Sequence, residues 1–106
     1  MRIPIQYEGC VVSTTARTYN FRVIDSPGQS RQFRVQVRSE LFRGALLKFQ
    51  DGPPISFERV QQEIHGETPE LNAEAFLHIA ETDIHEYLGR HYPRKKSRGR
   101  PAGPIY

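Results

Sequence analysis

Cysteine is almost missing from this chain, and so is any long apolar run; each shortage removes a class of protein. Cys10 is the single cysteine in 106 residues. One thiol cannot close an internal disulfide, so nothing points to a secreted, disulfide-stapled scaffold. No stretch approaches the ~20 apolar residues needed to cross a bilayer as a helix. The first eight residues lack the apolar run of a signal peptide. The expected location is cytoplasmic, nucleoid or nuclear, not secreted and with no membrane contact. Catalytic signatures are missing too: there is no phosphate-cradling glycine loop, no Gly-x-Ser-x-Gly elbow and no paired-cysteine motif. The expectation is a non-enzymatic protein with no cofactor.

Charge of one sign is missing from two long stretches. Residues 60–89 hold seven acids (Glu63, Glu67, Glu70, Glu74, Glu81, Asp83 and Glu86) and no Lys or Arg. Residues 90–106 hold six bases (Arg90, Arg94, Lys95, Lys96, Arg98 and Arg100) and no acids. The overall net charge of +3 therefore hides blocks of opposite sign. Such asymmetry suggests an interaction arm rather than a uniformly basic body.

The length of 106 residues suits one domain, with the expected division at 1–91 for an α+β body and 92–106 for a basic tail. Ile3, Ile5 and Tyr7 alternate with polar residues, which reads as a half-buried strand reaching toward Val12. Pro4 cannot donate to a ladder and favours a sheet edge. Tyr19, Phe21 and Val23 alternate, as do Phe33, Val35 and Val37, with Pro27-Gly28 between them. Pro presets φ and Gly accepts positive φ, so the pair suits a type II turn. The expected pairing sets Val23 opposite Phe33, Arg22 opposite Arg34, Asn20 opposite Gln36 and Asp25 opposite Arg31. All apolar side chains then share one face. On the other face Arg22, Arg34 and Arg38 form a secondary anion-binding candidate, with no stacking platform beside them.

After the hairpin the period becomes helical. Ser39 is the expected cap of a helix with Leu41, Phe42, Ala45, Leu46 and Phe49 as its stripe, ended by Asp51-Gly52-Pro53-Pro54. Ser56 is the expected cap of a second helix carrying Phe57, Val60 and Ile64, ended by Gly66. Thr68-Pro69 opens a third, over about 70–91, with Phe76, Ile79, Ala80, Ile84, Tyr87 and Leu88 on one side; a break near Thr82 is the alternative. The expected fold is a three-stranded antiparallel sheet, made of an N-terminal strand plus a hairpin, followed by two or three helices packed on one face.

From Pro93 onward no apolar period remains, and Pro, Gly and basic residues dominate, a composition expected to be disordered when unbound. At Arg98-Gly99-Arg100-Pro101 the tail resembles the core of an AT-hook, the short minor-groove element of chromatin proteins. Ser97 stands where the usual pattern has a proline, and one copy is present. The physics fits the spelling. The minor groove over A·T runs is narrow and strongly negative and attracts inserted arginines. Gly99 lets the backbone approach the groove floor, and Pro101 stiffens an extended chain. The resemblance implies that Arg98 and Arg100 lie along the floor while Arg94, Lys95 and Lys96 sit on phosphates. The implied partner is A·T-rich DNA. Lys95-Lys96-Ser97-Arg98 also suits a nuclear-import signal.

Other readings compete. The tail can be a solubilising element, or fold back on the acidic helix, leaving a protein-interaction or regulatory module whose protein partner and oligomeric state are unknown. His78, Glu81 and His85 lie three and four residues apart and are weak candidates for a metal site in a small metal-dependent enzyme. Cys10 beside Val11 and Val12 reads as a small core residue more readily than as a nucleophile.

Overall fold

The hairpin between residues 16 and 38 organises the molecule. In a computed structural model, which describes residues 3–43, 47–68 and 73–92, strand β1 covers Ile5–Val12, β2 Ala16–Ser26 and β3 Gln29–Arg38. Pro27 and Gly28 form the turn, with Gly28 at φ +79°. The register passes from Ser26 opposite Gln29 to Ile24 opposite Ser30, so Asp25 is bulged out of β2. Turns of the Pro-Gly kind match the twist of paired strands poorly, and an extra residue next to the turn absorbs the mismatch.

The bulge corrects the expected pairing. Phe21, not Val23, stands opposite Phe33; Val23 faces Arg31, Arg22 faces Gln32, and Asn20 faces Arg34. The slip is two residues, and side chains alternate with period two, so every apolar residue keeps its face. Tyr19, Phe21, Val23, Phe33, Val35 and Val37 are all buried. Burial of an aliphatic or Phe side chain of this kind contributes about 1.5–3 kcal/mol. Asp25 still holds Arg31 in a two-point ion pair, Nε to Oδ2 at 2.8 Å and Nη2 to Oδ1 at 2.9 Å. β1 lies at the sheet edge, directly after Pro4, and has its own bulge at Glu8 beside Gly9, whose φ is +114°.

The fold is α+β, and its sheet is mixed rather than purely antiparallel. A fourth strand, β4 (Phe76–His78), pairs parallel to β3, giving the order β1-β2-β3-β4. Bonds from Arg34 N–H to Ala75 O (2.8 Å) and from Ile79 N–H to Gln36 O (3.0 Å) fix it. Within the described residues 73–92, the expected helix over about 70–91 is therefore replaced by β4 and a shorter helix, while residues 69–72, where it was to begin, lie outside the described residues. Leu77 and Ile79 are buried while Phe76, His78 and Ala80 are exposed, which is strand alternation. Spacings of three and four residues among Phe76, Ile79 and Ala80 imitate a helix face and mask this period.

Helices cover one side of the sheet. α1 is short, Ser39–Arg43, and buries Leu41; a 3-10 turn follows at Phe49–Asp51, where Phe49 is exposed rather than part of a buried stripe. Ala45 and Leu46 lie outside the described residues. α2 runs Gly52–His65, so Gly52-Pro53-Pro54 opens a helix instead of ending one. The first-turn N–H groups of a helix have no internal partner, which makes proline harmless there. Ser56, expected as a cap, is instead buried within α2. α3 runs Glu81–His91; Asp83 accepts the Ala80 N–H at 2.8 Å and closes its start, with Thr82 inside the first turn. Ile55, Val60 and Ile64 of α2 and Ile84 and Tyr87 of α3 complete the core.

Candidate nucleic-acid interface

The helices pack on one face of the sheet, and among the described residues no element covers the other. Strand register decides what stands there. Asn20, Arg34 and Phe76 form one row across β2, β3 and β4. Thr18, Gln36 and His78 form the row on one side of it, and Arg22 and Gln32 the row on the other. Arg34 and Phe76 touch: the guanidinium carbon lies 5.6 Å from the ring centre. His78 meets the same ring edge-on, with centres 4.9 Å apart. Phe76 is 45% exposed, whereas the alternating positions Leu77 and Ile79 are buried. Asn20, Gln32, Arg34, Ala75 and Phe76 line a shallow groove of about 400 Å³.

The three arginines assigned to this face differ in what they already hold. Arg22 donates to Glu8 at 2.7 Å, and Gln32 donates to the same carboxylate at 2.9 Å. These donors hold the Glu8 carboxyl below its usual range, with Gln32 the larger cause. Arg38 pairs with Glu40 at 2.9 Å, near the start of α1. Arg34 has no carboxylate partner among the described residues. Among the described residues its charge is met by the electron-rich face of Phe76. Of the three, Arg34 is the one able to take an anion without first giving up an ion pair.

Neither Phe76 nor His78 was expected at this face, and their presence corrects the reading that no stacking group accompanies the arginines. The signal for them was the alternation over 76–79, hidden by its helical coincidence. His78 lies in β4, Glu81 opens α3 and His85 sits a turn further on, so the three do not share one helix. Among the described residues no three His, Cys, Asp or Glu side chains are grouped to hold a metal ion. Cys10 is half-buried in β1 against the core. Arg94, Lys95, Lys96, Arg98, Gly99, Arg100 and Pro101 lie outside the described residues.

No protein-family model, curated protein or solved structure matches this chain.

A second polar cluster lies under α2. Asp51 is buried; its carboxylate accepts the Lys48 N–H at 3.0 Å and the hydroxyls of Tyr92 at 3.2 Å and Tyr87 at 3.4 Å. Burial, with the Asp51 charge beside it, pushes the Tyr87 phenol up to about 12. This cluster closes the 3-10 turn and ties α3 to α2. Its lone pairs are taken by the chain itself, so it reads as architecture. Among the described residues no helix is long and apolar enough to cross a membrane.

Proposed function

We propose that this is a non-enzymatic, nucleic-acid-associated accessory protein whose basic tail makes the main contact with DNA. Arg94, Lys95 and Lys96 engage phosphates. Arg98 and Arg100 enter the minor groove over A·T-rich sequence, as the resemblance to an AT-hook implies, and Gly99 and Pro101 shape the backbone between them. The observation that supports a nucleic acid over another partner is Arg34, without a carboxylate partner among the described residues, lying beside the exposed Phe76 ring on the sheet face away from the helices. Phosphate and base are the chemistry that such a pair complements. Charge adds to it: Arg90 is held by Glu58 at 2.6 Å, and the other five bases of 90–106 follow α3 in the sequence.

The test is replacement of both groove arginines. Arg98→Ala with Arg100→Ala should erase the preference for A·T-rich over G·C-rich duplex, read by fluorescence anisotropy, while leaving weak general binding through Arg94, Lys95 and Lys96. Equal loss on every duplex would reject the minor-groove reading.

A further inference from the structure

We propose that the open sheet face is a separate platform for single-stranded DNA, with a base stacked on Phe76 and the adjacent phosphate held by Arg34. This rests on the nucleic-acid reading above and deepens it, since the tail and the sheet face would then take different forms of the same polymer.

Three observations carry it. Phe76 keeps its ring at the surface, on the side of the alternation opposite the buried Leu77 and Ile79. An aromatic at the surface of a sheet is a stacking surface for any base, because every base has a π face. Arg34 lies 5.6 Å from the centre of that ring without a carboxylate partner among the described residues, so a cation stands next to the surface on which a base would stack. Beside them stand the side-chain amides of Asn20, on the Arg34 row, and Gln36, one row on. Each amide carries both donor and acceptor for a base edge. Four strands at about 4.8 Å spacing span about 14 Å, room for a strand of about two or three nucleotides.

Duplex does not fit this face. A base inside a helix is already stacked and cannot offer its surface to Phe76 without leaving the stack. Single-stranded DNA is the occupant chosen because the tail places the protein on A·T-rich duplex, where strand opening exposes unpaired bases close at hand. The arrangement is a duplex anchor joined to a single-strand clamp.

The experiment uses the full-length chain and two labelled DNA probes, a ten-nucleotide oligothymidine and an A·T-rich duplex of similar length, with a ten-nucleotide oligouridine RNA for comparison. Phe76→Ala and Phe76→Leu should each weaken oligothymidine binding about tenfold, the scale of one lost base–aromatic stack. Duplex affinity should change less than twofold. Arg34→Gln should weaken oligothymidine binding and lower its log–log salt slope by about one, whereas Phe76→Ala leaves that slope unchanged. Arg98→Ala with Arg100→Ala should instead weaken the duplex most. Circular dichroism on each variant confirms the fold, and Phe76→Leu retains the apolar volume if Phe76→Ala does not fold. Oligothymidine binding unchanged in Phe76→Leu overturns the platform while leaving the tail reading standing. Tenfold tighter binding to oligouridine RNA overturns the assignment to DNA. Absence of binding to both probes by the unaltered chain refutes the nucleic-acid reading itself.

Discussion

Gly52 stands where no larger side chain fits. A Cβ at this position would overlap the hydroxyl and ring of Tyr19, which is buried at the sheet's centre and cannot swing away. The start of α2 is thereby pressed against β2. Gly52→Ala is expected to destabilise the fold by about 1–3 kcal/mol, the usual cost of overpacking a filled core, measured as a lower denaturant midpoint with unchanged slope. A neutral result would mean that α2 does not press on Tyr19 as described. The sequence holds no hint of this contact, because Gly52 and Tyr19 are remote in the chain and Gly before Pro-Pro looks like an ordinary breaker. Asp25 and Arg31 show the opposite case. They flank one turn, and their pairing was legible from the hairpin alone. Glu67, the further partner of Arg31 at 2.5 Å, arrives from the end of α2 and was not legible.

At the scale of elements, two glutamates fasten the lead-in to β4. Glu67 accepts from Arg31 and from the Ala73 N–H at 2.8 Å; Glu63 accepts from the Glu74 N–H at 3.0 Å and from Arg59 at 2.9 Å. Both carboxyls are held below their usual value of 4.5, Glu67 chiefly by Arg31 and Glu63 chiefly by the Glu74 N–H. A carboxyl with a depressed folded value stabilises the fold fully above its unfolded value. That contribution is lost as pH falls through the folded value. The denaturation midpoint should therefore decline from about pH 4.5 downward, and Glu63→Gln with Glu67→Gln should flatten the decline while lowering stability at pH 7. An unaltered pH profile in that double variant would contradict the account. Strands β1 to β3 were legible because alternation and Pro27-Gly28 act locally. β4 was not, since three residues of strand carry too little period to outweigh a coincidental helical spacing. α2 was mis-started for a related reason: Pro53 and Pro54 mark a helix boundary without saying which side the helix lies on.

Across the whole molecule, charge is sorted between body and tail. The body consumes much of its own: Glu58 holds Arg90 and also His91, Glu63 holds Arg59, Glu67 and Asp25 share Arg31, and Glu8 holds Arg22. Arg34 has no carboxylate partner among the described residues, and Arg94, Lys95, Lys96, Arg98 and Arg100 follow α3 in the chain. The tail's charge was plain in the sequence; the sheet face became readable only when β4 brought Phe76 beside Arg34. The central claim is that this surplus positive charge meets nucleic acid. A salt titration of binding to an A·T-rich duplex, run on the full chain and on a chain ending at residue 92, tests it most directly. The account predicts a log–log slope of very roughly −3 to −5 for the full chain, about four to six phosphate contacts, and loss of duplex binding without the tail. A flat salt dependence, or equal duplex affinity in the two chains, would contradict it.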